Sequence, residues 1–500
     1  MKINIQTSKI IMTDVPVYIQ QPQPEWGVKL SKFIFIPQRV ILALMGFFGV
    51  VNAYTMRICL SMVIPALVLP RNYSDEKVSE AHCPASEDLF EDDENSLSGT
   101  YDWSQAMQGI ILSSFYIGYL ITHVPGGELA KVFGAKWVLS LGLLFTAICT
   151  LLTPLAIDFT GHIGLIVIRI LMGLGEGTTF PALSALIAHW VPKNERGVIG
   201  AVILGGGQMG TIIGNLMSGF LLSRSGWPAV FYTFGCLTFL WFIFFSLFCF
   251  SDPASHPFIK SKEKEYLIQE LGSITRRRDL GATPWKQIFL SMPMYALLVA
   301  QVGHDWAFYI LVTDLPKYLN DVMQIPIKKN ALYSSLPFAL MWIVSIFAGI
   351  LADFLIKHEV LSLTIVRKIM TSVAAFGPAL FAILASYAGC NEWEVIIYFC
   401  LCLGTMGFYY AGVRLTPNDL SPNYAGTLMA ITNGFGSFAG ILAPYSVGLM
   451  TPNTTIQEWR LVFWVGGFIL SASAVFYCVW ATGDTQSWNE PSPKKGVEKE

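Results

Sequence analysis

Twelve stretches of this 500-residue chain are apolar for long enough to cross a lipid bilayer, and that pattern restricts the fold more than any motif does. A hydrocarbon core about 30 Å thick takes roughly 20 helical residues. Inside it, only helices and closed barrels satisfy their own backbone hydrogen bonds. The stretches lie near 39–69, 104–127, 137–157, 163–191, 198–222 and 229–250, then near 294–318, 330–356, 366–388, 393–415, 424–450 and 459–481. Composition agrees: 53% of residues are hydrophobic, 13% are charged, and the mean hydropathy is +0.53. The expected fold is an all-α membrane protein with twelve transmembrane helices in two six-helix halves.

Loop charge predicts the orientation, because cytoplasmic loops carry the excess of Lys and Arg. With both termini inside, 23 of the 32 basic residues fall in inner segments, 7 in outer loops, and two, Arg57 and Arg169, within spans. The expected divisions are a cytoplasmic tail (1–38), an N-terminal half (39–250) with an outer loop at 70–103, a cytoplasmic connection (251–291), a C-terminal half (292–481) and a cytoplasmic tail (482–500). The first 38 residues lack the short apolar core of a signal peptide, so the first span is expected to direct insertion. The Asn-x-Ser/Thr sequons at Asn72 and Asn453 both fall on the predicted outer face, where glycosylation occurs. Cys83 and Cys390 lie in loops on that face and are free to pair there, while the other seven cysteines sit in apolar segments with no metal-ligand spacing. A net charge of −2 argues against a nucleic-acid partner.

The halves echo one another. "GGELAKVFGAK" follows the second span and "GILADFLIK" ends the eighth, so Gly127-x-Leu-Ala-Lys131 and Gly349-x-Leu-Ala-Asp353 recur 222 residues apart. Gly210-x-x-x-Gly214 returns as Gly436-x-x-x-Gly440, 226 residues on. Related halves are a sequence sign of transporters that rock around a midplane site.

Ionisable groups within the spans are few: Arg57, then Arg169 and Glu176, then His304 and Asp305. Each is costly in lipid and is expected to face a partner or a water-filled cavity. Arg169 and Glu176 are two helical turns apart, about 10.5 Å, too far for a direct pair. Arg169 is either an interhelical structural contact or part of the site, and Glu176, a desolvated carboxylate, suits proton exchange. The guanidinium of Arg57 suits an anion with paired oxygens. Gly173 and Gly177 are spaced to let another helix approach closely. His304 reads equally as a packed residue or a site residue. Tyr54, Tyr116, Tyr119, Tyr309 and Tyr410 can line a polar cavity or anchor at interfaces.

Residues 101–235, with "DWSQAMQGIILSSFYIGYLITHVPGGELAKVFGAKWVL", "RILMGLGEGTTFPALSALIAHWVPKNERG" and "GWPAVFY", resemble the anion/cation symporter family of the major facilitator superfamily. "GHDWAFYILVTDLPKYL" and "SSLPFALMWIVSIFAGILADFLI" extend the resemblance, which covers about 39–481. Sodium-phosphate cotransporters, sialin and vesicular glutamate transporters belong to that family. The resemblance implies the two-half major facilitator fold, substrate-anion binding at Arg57 and cation coupling at Glu176. It also implies gating at the loops holding Gly127, Lys131, Gly134, Gly349 and Asp353, although Lys131-Val132 replaces the usual Asp-Arg. Leu112 and His304 stand where vesicular glutamate transporters carry His and Arg, and Met172 where sialin has a second glutamate. Asp305 replaces the usual Asn and adds a candidate cation-binding carboxylate. The remaining branch bears the name inorganic phosphate cotransporter, applied by similarity.

The combined expectation is an anion symporter working by alternating access, moving inorganic phosphate or an organic anion with Na⁺ or H⁺, without a bound cofactor or metal and as a monomer. Substrate-binding candidates are Arg57, Arg169, Tyr54, Tyr309 and His304, and coupling candidates are Glu176 and Asp305. A sialin-like proton-coupled lysosomal exporter is the rival transporter, and a non-transporting receptor or scaffold on the same fold is the rival from another class. No nucleophile–base pair or phosphate-binding loop points to an enzyme. The membrane is the plasma membrane or a lysosomal or vesicular one.

Overall fold

The computed structural model describes residues 36–69, 99–275 and 283–489, together with Pro24, Trp26 and Cys83. The described elements are helical. In the first half they are α1 (Gln38–Leu67), α2 (Gln105–Phe133), α3 (Ala135–Glu176), α4 (Thr179–Trp190), α5 (Lys193–Ser225) and α6 (Trp227–Phe248). The connection holds α7 (Ser261–Thr275) and α8 (Trp285–Phe289). The second half has α9 (Met292–Asp321), α10 (Ile327–Lys357), α11 (Leu363–Tyr387), α12 (Glu392–Met406), the short α13 (Thr416–Leu420), α14 (Ala425–Met450) and α15 (Ile456–Trp480).

Ten described helices are long and apolar enough to cross a membrane. One of these, Ala135–Trp190, carries two crossings, because the backbone turns back at Gly161 (φ +60°), and α2 completes the twelve. Two expected spans are not single helices. The fourth is interrupted between Glu176 and Thr179, and the tenth stops at Met406, continuing as a 3-10 turn, Gly407–Tyr410. The first glycine of each repeat packs alike in the two halves, against the first helix of its own half. A Cβ on Gly210 would meet Tyr54 Cβ of α1 at 2.8 Å, and one on Gly436 would overlap the Asp305 carboxylate of α9.

The described contacts between the halves gather at one end and at the middle. At the end where α1 finishes and α2 begins, a Cβ on Gly448 would lie 2.5 Å from the Gln105 carbonyl, and one on Gly219 would overlap Ala331. Asn215 and Ser335 add hydrogen bonds across the α5–α10 contact, at 3.5 and 3.4 Å. At the opposite end, Gly200, Gly349 and Gly426 have open space where a side chain would stand. Cys83 and Cys390 form a disulfide at the closed end, joining the two halves, and the Cys83 N–H donates to Val322 O at 3.0 Å. Asn453 is exposed at that end, where Thr455 and Glu458 form a capping box on α15. Asn72 lies outside the described residues.

The connection is anchored by a buried histidine. His256 Nδ1 accepts from the Phe258 N–H at 3.3 Å, and its ring packs against Trp190, Phe250 and Phe258. Burial pushes this imidazole down to about 4, against a smaller upward pull from the Phe248 carbonyl. Because the folded value lies below the free value of 6.5, the stability His256 contributes is complete above about pH 6.5 and is lost as pH falls toward 4. The loss is at most roughly 3 kcal/mol. Thermal unfolding midpoints measured from pH 7.5 to 4.5 should fall less steeply in His256→Gln than in the parent. Parallel curves would exclude His256 as the source.

Candidate functional site

The site begins with two residues 119 positions apart. Arg57, two-thirds of the way along α1, donates through Nη2 to Glu176 Oε1 at the end of α3. The side chains are 5% and 1% exposed, so the charges compensate one another in a nearly dry setting. Of the two expected surroundings, a partner or a water-filled cavity, these two charges have a partner in this conformation and are closed in, with the rings of Tyr54, Phe115 and Tyr119 at 4.7, 5.0 and 5.1 Å from the guanidinium carbon of Arg57.

Close helix approach makes the pair possible. A Cβ on Gly173 would overlap the Phe115 carbonyl and come within 2.7 Å of the Tyr119 nitrogen, so α2 and α3 touch backbone to backbone. Gly118 and Gly177 extend that contact, against Ile170 O and Tyr119 O. The glycine spacing read from the sequence therefore serves the α2–α3 seam.

Arg169 lies two turns before Glu176 and is buried. Its Nη2 donates to the carbonyl oxygen of Arg57 at 3.1 Å, fixing the backbone that carries the first arginine. Among the described residues, Arg57 Nε, Arg169 Nε and Nη1, Glu176 Oε2 and the Tyr116 hydroxyl are buried without a hydrogen-bond partner. Unpaired donors are expensive inside a protein. Three of them on two guanidinium groups make a site suited to an oxyanion. Tyr116 reaches across to the other half, its ring 4.6 Å from that of Tyr309, and Gly440 packs against its face.

The second half brings a separate cluster to the interface. Asp305 accepts from Gln301 Nε2 at 2.8 Å, and Gln301 Oε1 accepts from the Tyr409 hydroxyl at 2.6 Å. His304 stacks flat on Tyr409, ring centres 3.6 Å apart, so one face of its ring is covered. Tyr410 receives a hydrogen bond from Gln208 of the first half at 2.5 Å. Tyr54, Tyr309, Arg57, Arg169 and Glu176 thus share one neighbourhood, while His304 and Asp305 belong to the adjoining one.

Of the gating candidates, Gly134 has φ +84° and breaks the chain between α2 and α3. Gly127 lies near Pro181, and nothing stands close to Gly349. Asp353 is exposed and forms no ion pair among the described residues. The Lys131 side chain lies outside the described set. Among the described residues, no contact brings these positions together across the halves.

Sequence reasoning missed several interior charges. Asp314 and Lys317, near the end of the seventh stretch and in α9, are buried at 1% and 2% exposure. Arg414, at the very end of the tenth stretch, is half-buried and donates to Asn433 Oδ1 at 2.8 Å. Arg367 pairs with Asp419 at 2.7 Å and also donates to Ala411 O at 2.7 Å. The available signal was that "TDLPK" falls inside a span, and that "GFYYAGVRL" continues one without a polar break.

Comparison with known proteins identifies the family. The model of the Major Facilitator Superfamily matches residues 46–444. A Drosophila ananassae protein named "Putative inorganic phosphate cotransporter" is 38% identical, over 90% of this chain and 93% of its own length. Homo sapiens sialin is 34% identical over 90% of each chain, and Danio rerio vesicular glutamate transporter 2.1 is 32% identical over 91% of this chain and 76% of its own. Among solved structures, a D-xylose-proton symporter overlays with a TM-score of 0.66 at 14% identity, covering 90% of this chain and 99% of that one. The xylose transporter XylE from E. coli in an inward open conformation gives 0.64 at 13%, covering 88% and 95%. The chain is a multi-pass membrane transporter, not an enzyme, and belongs to the Major Facilitator Superfamily, among its anion/cation symporters.

Proposed function

We propose that the protein carries a small oxyanion, inorganic phosphate or an organic acid, together with Na⁺ or H⁺. Arg57 and Arg169 supply the donors and Glu176 exchanges the cation. The observation that carries this reading is the buried Arg57–Glu176 pair beside unpartnered guanidinium N–H groups. An incoming anion competes with Glu176 for Arg57, and a carboxylate released from its partner takes up a cation in its place. Binding of the two is thereby linked. With the termini in the cytoplasm, the closed, disulfide-bearing end faces outward, where Asn72 and Asn453 are glycosylation candidates. The opposite end then opens inward at one stage of alternating access. One chain supplies both walls of the site, so a monomer suffices.

Sialin-like proton-coupled export from lysosomes is the second reading, favoured by 34% identity to sialin over nine-tenths of both chains. The test is uptake of labelled phosphate, glutamate and sialic acid into proteoliposomes under separately imposed sodium and proton gradients. Accumulation of one anion under one gradient is expected. Absence of driven flux for all three would sink the symport reading.

A further inference from the structure

We infer that Arg414 is a second anion-binding residue, contributed by the C-terminal half and balanced by Asp305, so that one oxyanion is held by a guanidinium from each half. This rests on the reading that the interior receives an anion, and it adds a residue and a chemical requirement to that reading.

The local fold keeps Arg414 inside. α12 gives way at Met406 to the 3-10 turn Gly407–Tyr410, and further turns carry the chain to α13. The segment is pinned on both sides. A Cβ on Gly412 would come within 2.6 Å of Thr371 Oγ1, and Arg367, itself paired with Asp419, holds the Ala411 carbonyl. A guanidinium that would emerge on a straight helix therefore stays beside Tyr409 and Tyr410.

Its partners leave it available. Arg367 has a carboxylate at 2.7 Å, whereas the side-chain partners of Arg414 are neutral, the Asn433 oxygen at 2.8 Å and the Tyr409 hydroxyl, and it forms no direct ion pair with Asp305. Asp305 is held back by Gln301, which is held in turn by Tyr409. Arg414 and Asp305 are both partly buried, less completely enclosed than the Arg57–Glu176 pair. A charged fork with donors to spare, in a setting shielded from bulk water, binds oxyanions strongly.

The two sites share a wall. The Tyr54 ring lies 4.7 Å from the Arg57 guanidinium carbon and packs against Gly207, whose neighbour Gln208 hydrogen-bonds Tyr410 and so joins the halves. The first and fourth spans carry Arg57 and Glu176, and the seventh and tenth carry Asp305 and Arg414: the same two positions of each half, with the signs exchanged. Three guanidinium groups (Arg57, Arg169, Arg414) face two carboxylates, an excess of one positive charge. The ligand this favours carries oxygens on more than one side, as phosphate, sulfate or a dicarboxylate does.

The experiment compares the parent with Arg414→Gln, Arg414→Lys and Asp305→Asn/Arg414→Gln. It measures gradient-driven uptake and the phosphate-, glutamate- or sialic-acid-induced shift of thermal unfolding in detergent, which needs no gradient. Arg414→Gln should raise the half-saturating anion concentration at least tenfold and abolish most of the thermal shift. Arg414→Lys should recover part of both. The double variant should regain ligand-free stability but not anion binding. An Arg414→Gln protein with the parent's half-saturation, even one less stable without ligand, overturns the inference alone. A parent unresponsive to all three anions in both assays overturns the reading beneath it.

Discussion

Arg57→Ala is expected to reduce gradient-driven anion uptake at least a hundredfold, and to destabilise the protein by about 3–5 kcal/mol, because it leaves Glu176 as an uncompensated buried carboxylate. Glu176 is 1% exposed, and one of its oxygens already lacks a partner. Once the arginine is gone, the cheapest response is for that carboxylate to take a proton, which limits the loss of stability but rebuilds no anion site. Glu176→Gln should act differently, keeping the shape and a hydrogen-bond acceptor for Arg57 while removing the exchangeable charge. It should bind anion and fail to couple its movement to a cation. The double variant Arg57→Met/Glu176→Leu separates packing from transport, since replacing a whole buried pair by apolar side chains is often tolerated. It should unfold near the parent's temperature and move no anion. Flux through that variant would show that the pair only cements the helices.

The second large effect is steric. Gly173→Ala should cost about 3 kcal/mol or more, at or above the usual range for overpacking, because the atoms it would strike are the Phe115 carbonyl and the Tyr119 nitrogen, backbone that cannot swing aside. α2 would have to withdraw from α3, taking with it Phe115, Tyr116 and Tyr119, the rings around Arg57. Gly349→Ala is the control. Nothing lies within 4 Å of its added methyl group, and alanine favours a helix over glycine. Thermal unfolding followed by fluorescence should separate the two variants by many degrees, and equal midpoints would refute the backbone-contact argument.

Much of the fold was legible because lipid imposes it locally. Each crossing must satisfy its own backbone within some 20 residues, so hydropathy alone locates α1 or α6. The same logic exposes Arg57, Arg169 and Glu176 as costly exceptions. It fails at Arg414 and Lys317 for a shared reason: a charge near the end of an apolar run looks like the start of a loop. Whether it is one depends on how far the chain continues inside the protein. The 3-10 turn after Met406 and the long α9, running to Asp321, keep both residues interior.

From the sequence come the membrane class, the twelve crossings, the duplicated halves and the interior charges at Arg57, Arg169, Glu176, His304 and Asp305, because each follows from the transfer cost of nearby residues. Tertiary structure decides which charge meets which. Arg57 finds Glu176 across 119 residues, and Cys83 joins Cys390 across 307. Asp305 stands near Arg414 without pairing directly. Helix packing selects among partners of equal chemistry by distance and direction, which no local pattern encodes.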